Sequence, residues 1–293
     1  MKRQEINIRD PYILVYGGKY YLYGTRSATA WGPADGFDCY VSEDLEDFEG
    51  PIEIFHRPEG FFADRNYWAP ECYAHNGAFY LVTTLGAEDR PMGIYVLKSD
   101  SPTGPFAPYS GRLTPEDWQA IDGTLFFEKE TPYLIFSRSQ RGAEDGDFVL
   151  LELTTDLKRA AGEPVTLFTA KQALWARPVP FAKEAFGLEE MYFSDGPSLL
   201  KLDDGRLYMI FSSWSVNGYA VGVALSESGS VHGPWKLQAK PLYPENGGHG
   251  MFFRDLEGRL LLTLHHPNDP LQERPHFWKI QSESETLILG GQE

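Results

Sequence analysis

Gly18-Lys-Tyr-Tyr-Leu-Tyr23 is the first of five similar stretches in the chain. The others are Gly77-Ala-Phe-Tyr-Leu-Val82, Glu130-Thr-Pro-Tyr-Leu-Ile135, Gly205-Arg-Leu-Tyr-Met-Ile210 and Gly258-Arg-Leu-Leu-Leu-Thr263. Each is a turn followed by aromatic and aliphatic residues, the mark of a hairpin entering a strand. Aligned, they place Tyr21, Tyr80, Tyr133, Tyr208 and Leu261 in register, with separations of 59, 53, 75 and 53 residues. An insertion around Leu174 to Glu190 accounts for the long interval. A second segment follows most anchors: a strand, a Ser/Asp-rich turn, then often Gly-Pro and an aromatic. Cys39 to Pro51, Ile94 to Phe106 and Ala220 to Trp235 carry it in full. Phe148-Val-Leu-Leu-Glu-Leu153 and His276-Phe-Trp-Lys-Ile280 are shorter copies. Helical signals are confined to Pro115–Ala120 and Lys183–Phe186.

Five units of several strands each, in a chain of 293 residues, give about 58 residues per unit. That suits an all-β, five-bladed β-propeller with residues 1–293 as one domain. A β-sandwich would need the five in-register copies to be accidental.

Composition narrows the function classes. Lys plus Arg number 26 against 42 Asp plus Glu, a net charge of −16, which argues against a nucleic-acid partner. At 42% hydrophobic and 14% aromatic residues, the chain has the means to build a core. Cys39 and Cys72 make no disulfide framework and no zinc motif. No apolar run reaches membrane-spanning length, so no membrane partner is expected. The N-terminal residues lack the apolar segment of a signal peptide, so the default location is cytoplasmic unless a leader was removed. Oligomeric state is left open.

In a propeller the first strand of each blade lines a central channel. Counting back from the anchors finds one ionisable residue per blade: Asp10 at eleven, Glu71 at nine, Asp122 at eleven, Asp195 at thirteen and His249 at twelve. Singly, an Asp before Pro or Gly reads as a turn residue. Together, convergent carboxylates are costly to hold unless they serve acid and base chemistry. His249 between glycines reads either as a core histidine or as a channel ligand.

Arg9-Asp10-Pro11, Trp68-Ala69-Pro70-Glu71, Ile121-Asp122-Gly123, Gly196-Pro197 and Gly248-His249-Gly250, in this order, resemble glycoside hydrolase family 43 over essentially the whole chain. The resemblance implies an inverting glycosidase. Asp10 would be the general base and Asp122 would tune the acid and orient the sugar. The general acid would fall on Asp195, where the family pattern has Glu, one methylene longer. No cofactor would be required for catalysis, and a structural calcium ion could sit in the channel beside His249. The expected substrate is a neutral oligosaccharide, trimmed from its end at pentose or furanose units, α-L-arabinofuranosyl first, with β-xylosidase or β-galactofuranosidase action as alternatives. Trp31, Trp68 and Trp175 are candidate sugar platforms. Glu71 and Arg138 are candidate hydroxyl partners, Glu71 standing equally as the ion-pair partner of a base. Two further readings are a retaining fructosidase-like propeller and a non-catalytic carbohydrate-binding propeller, the latter favoured by the Asp at 195.

Overall fold

The computed structural model describes residues 1–140 and 142–293. Twenty strands form five four-stranded antiparallel sheets, each in chain order. Blade one comprises β1 (Ile8–Tyr16), β2 (Lys19–Arg26), β3 (Gly36–Ser42) and β4 (Phe48–His56). Blade two has β5 (Arg65–His75), β6 (Ala78–Ala87), β7 (Arg90–Ser99) and β8 (Ala107–Pro108). Blade three has β9 (Ala120–Glu128), β10 (Thr131–Arg138), β11 (Asp147–Glu152) and β12 (Val165–Thr169). Blade four has β13 (Asp195–Lys201), β14 (Leu207–Ser215), β15 (Gly218–Ser226) and β16 (Trp235–Leu237). Blade five has β17 (Gly248–Arg254), β18 (Leu260–His266), β19 (Arg274–Glu283) and β20 (Thr286–Gln292). The first strands β1, β5, β9, β13 and β17 pack each against the next, and β17 returns to β1, closing a five-bladed β-propeller.

The repeated apolar stretches make this ring because a second strand is buried on both faces. Side chains alternate across a strand. Ile135 therefore joins the core between blades three and four, while Leu134 and Phe136 join the core between blades two and three. Met209 and Phe211 likewise face blade three, and Tyr208 and Ile210 face blade five. Five such cores fill the five blade interfaces. Turn chemistry ends the strands: Asn76 and Gly77, both at positive φ, turn β5 into β6 as Asn-Gly hairpins do.

Ring closure between blades five and one uses side chains rather than a shared strand. The Arg9 guanidinium pairs with Glu273 at 2.7 Å, Asn7 donates to the Glu273 carbonyl, and Arg274 donates to the Gln4 carbonyl. Glu273 is fully buried and also accepts from the Ser27 hydroxyl.

The helical expectation at Lys183–Phe186 is met by α1 (Ala182–Phe186), within the blade-four insertion. Pro115–Ala120 forms no helix; Trp118 N–H returns to the Pro115 carbonyl in a single turn before β9 begins. Among the described residues, no helix is long and apolar enough to cross a membrane.

Candidate active site

Each first strand breaks its pairing with the second strand at a bulge facing the channel, and β5 has a second break nearer its start, between Arg65 and Trp68. The residue at that bulge has positive φ: Asp10 (53°), Ala69 (44°), Asp122 (58°), Gly196 (47°) and His249 (41°). Each lies four residues before the partner of its blade's anchor, since the anchors pair with Leu14, Tyr73, Phe126, Leu200 and Phe253. The blades are thus equivalent at 10, 69, 122, 196 and 249. Glu71 lies two residues beyond this ring and Asp195 one residue before it, which corrects the register read from sequence. A bulge re-aims side chains and loses ladder hydrogen bonds. Non-glycine residues held at positive φ store strain that the surrounding ring must hold.

That ring holds the bulges through their N–H groups. Asp10 N–H donates to His265 Nδ1 (3.1 Å), Ala69 N–H to Thr25 Oγ1 (2.8 Å), Asp122 N–H to Thr84 Oγ1 (2.9 Å) and His249 N–H to Ser212 Oγ (2.9 Å). Each acceptor comes from the second strand of the preceding blade, four residues after its anchor. In blade three that residue is Ser137, yet Gly196 N–H donates instead to Asp122 Oδ2 at 3.2 Å. Gly196 has to be glycine: a Cβ there would lie 2.7 Å from the His249 ring.

Three carboxyls converge on the His249 imidazole. Nδ1 lies 3.3 Å from Asp10 Oδ1, 3.6 Å from Asp195 Oδ1 and 3.7 Å from Asp122 Oδ2. The Asp10 and Asp195 Oδ1 atoms, sharing that nitrogen, are therefore at most 6.9 Å apart. Asp10 Oδ2 accepts from the Thr25 hydroxyl at 2.6 Å, and Asp195 Oδ2 accepts from the Tyr219 hydroxyl.

These environments push the carboxyls apart. Burial raises Asp122 well above the carboxylate range, and the charges of Asp195 and then Asp10 add to it. Burial also acts on Asp10, but His249, Arg9 and the Thr25 hydroxyl outweigh it and hold Asp10 below its ordinary value. Burial thus favours the protonated form of Asp122, while its neighbours favour the ionised form of Asp10. His265 is pushed down to about 3 by burial and then by Arg9. It is neutral, with Nδ1 accepting from Asp10 N–H, so Nε2 carries the proton toward Asn268 Oδ1 at 3.0 Å.

A cavity of about 430 Å³ opens above these groups. Asp10, Asp122, Asp195 and His249 line it, as do Trp31 and Trp68. Trp68 is fixed by its indole N–H on the Ala30 carbonyl (2.7 Å) and by an edge contact to Trp31. Three other expected substrate contacts lie elsewhere. Trp175 is buried, stacked on Phe211 in the core between blades three and four, because a flat ring fills the space over Gly222. Arg138 lies 3.9 Å over the Trp118 ring and 3.6 Å from Asp147. Glu71 is buried beneath the ring, its carboxylate taken by the Tyr73 hydroxyl, and burial pushes it up to about 8. It does not pair with Arg9, which is held by Glu273 and Asn268, or with Arg138.

A model of the family described as glycosyl hydrolases family 43 matches residues 5–283. The chain belongs to that family. Over 98% of both chains it is 33% identical to a solved structure named as an endo-arabinase from Bacteroides thetaiotaomicron, with a TM-score of 0.88. A curated xylosidase/arabinosidase of Butyrivibrio fibrisolvens is 26% identical over 74% of this chain. An extracellular exo-α-(1→5)-L-arabinofuranosidase of Cellvibrio japonicus is 26% identical over 73% of it. The chain spans only 39% and 60% of these two relatives.

The sequence motifs did not mark Thr25, which holds the Asp10 carboxyl, His265, which holds the Asp10 N–H, Tyr219, which holds the Asp195 carboxyl, or Phe181, Phe186 and Phe193, which wall the cavity. For the first two the signal was present. Four residues after each anchor stand Thr25, Thr84, Ser137, Ser212 and His265, a polar position inside an apolar strand.

Proposed function

We propose that this protein is an inverting, exo-acting glycoside hydrolase that releases terminal pentose or furanose units, α-L-arabinofuranosyl first, from neutral oligosaccharides. The observation that carries this reading is the convergence of Asp10, Asp122 and Asp195 on one imidazole at the floor of a cavity in a family 43 chain. Asp10, kept ionised, takes a proton from a water that attacks the anomeric carbon. Asp195 protonates the departing oxygen. Asp122, its buried neighbour, is the carboxyl in which burial favours the protonated form. Inverting pairs stand about 6.5–9.5 Å apart and retaining pairs about 5–5.5 Å. The ceiling of 6.9 Å between the Oδ1 atoms covers both ranges, so the inverting course rests on the family resemblance and is tested by the first-formed anomer.

The sugar assignment follows the names of the two curated relatives. Exo action follows the name of the Cellvibrio japonicus relative. The reaction needs no cofactor. Asp122, Asp195 and His249 could offer ligand atoms within 4.8 Å of one another. Two carboxylates and one imidazole are a poor match to calcium, which takes six to eight oxygens, so no step is routed through an ion. A screen of aryl α-L-arabinofuranoside, β-D-xyloside and β-D-galactofuranoside tests the reading. Release from the arabinofuranoside above the other two is expected, and no release from any would overturn it.

A further inference from the structure

We propose that the same site also takes glycosides of phenols, selecting an aromatic leaving group by an apolar collar above the carboxyls. This rests on the glycosidase reading and adds the chemical class of the group across the scissile bond.

The cavity is divided by chemistry. Its floor holds the three carboxyls and His249, which suit a sugar's hydroxyls and its anomeric centre. Its walls carry Trp31, Trp68, Met92, Phe181, Phe186 and Phe193. Two aromatic clusters stand out among them. Trp31 meets Trp68 edge-on at 5.4 Å, and the Arg9 guanidinium lies 5.2 Å from the Trp31 ring. Phe186 lies 6.3 Å from Phe181 and 6.4 Å from Phe193, in a cluster of its own with Val179, Ala182 and Met191 beneath it. Trp31 remains 66% exposed, a large apolar face turned to solvent. A sugar against the phenylalanine cluster would turn hydroxyls toward C–H groups and lose their hydrogen bonds to water. A phenyl ring loses none and gains edge and stacking contacts.

The acid supplies an independent argument. Asp195 has a shorter side chain than Glu would, and the Tyr219 hydroxyl occupies its Oδ2. A shorter, partly engaged donor protonates a leaving oxygen less effectively. Phenol oxygens, with pKa about 10, depart with far less proton transfer than the hydroxyl of a sugar or an aliphatic alcohol. An aromatic collar and a shortened acid therefore favour the same leaving group.

The test uses the purified full chain and glycosides of whichever sugar it cleaves. kcat/KM is measured for a series of aliphatic leaving groups of graded acidity, trifluoroethanol included, to draw a leaving-group line, and then for phenyl and methoxyphenyl glycosides. The aryl glycosides should lie about tenfold above that line, the gain of one good aromatic contact. Trp31→Ala, at an exposed position that folding does not need, and Phe186→Ala should each bring them several-fold closer to it, mostly through KM. Aryl glycosides on the line, or an excess kept in both variants, would overturn the proposal while leaving the glycosidase reading intact. Failure to cleave any glycoside would remove both.

Discussion

Thr25→Val removes one hydroxyl that serves two partners in the bulge ring. Thr25 Oγ1 donates to Asp10 Oδ2 at 2.6 Å and accepts from Ala69 N–H at 2.8 Å, and the side chain is 1% exposed. Valine keeps the shape and leaves both partners bare. A hydrogen bond to a charged acceptor is worth about 1.5–3 kcal/mol, and a buried N–H left unsatisfied costs about 1–3 kcal/mol. We expect a total loss of about 3 kcal/mol at pH 7, since the two share one atom and do not add in full. The part that acts on the ionised carboxylate also raises Asp10, by about one unit for each 1.4 kcal/mol. Because the folded-state value of Asp10 lies below its unfolded one, its stabilisation is present above the unfolded value and is lost as pH falls. The difference between Thr25→Val and wild type should therefore be widest near pH 7 and shrink toward pH 3. Urea unfolding across that range measures this. In parallel, the acid limb of kcat/KM against pH should move up by about one unit. An unmoved acid limb in a folded variant would refute the assignment of that limb to Asp10.

Other expectations follow from the same geometry. Asp10→Asn should lower kcat by at least about a thousandfold with an unchanged circular dichroism spectrum, since the water loses its base; near wild-type turnover would take Asp10 out of the reaction. Asp195→Ala should depress hydrolysis of oligosaccharides far more than that of nitrophenyl glycosides, which depart without an acid; equal losses on both would argue against the acid role. Glu71, raised to about 8 by burial, binds its proton more tightly in the folded than in the unfolded chain. Its contribution is thus full at low pH and declines as pH rises toward 8. Glu71→Gln should match wild type near pH 4 and exceed it in stability near pH 8, as unfolding curves at the two values would show; a constant difference would mean that Glu71 does not titrate in this window.

The repeat was readable because a strand buried on both faces must be an apolar run. Five such runs, as in Tyr133-Leu-Ile-Phe136, announced five blade interfaces. Asp10, Asp122 and His249 were readable for a related reason, since each sits at a fixed distance from its anchor. Two of the five positions misled. Ala69 and Gly196 occupy the bulge in blades two and four, where no charged side chain marks it, so neighbouring Glu71 and Asp195 were taken in their place. Asp195 still reaches the cavity from one residue away, while Glu71, two residues further along β5, ends below it. Trp175 shows a second limit. A tryptophan in an insertion looks like a platform, but Gly222 on β15 leaves a slot that the indole fills. Nothing in the order of residues pairs positions 175 and 222. The phenylalanine collar was hidden for the same reason, because Phe181, Phe186 and Phe193 meet only when α1 folds back over the cavity.

Single displacement by a water that Asp10 activates is the central claim, and the anomer formed first reports on it directly. Proton NMR of hydrolysis in its opening minutes, before mutarotation, separates the two anomers of the released sugar. The inverted anomer should be the first product. A retained anomer would mean a covalent intermediate and would contradict it.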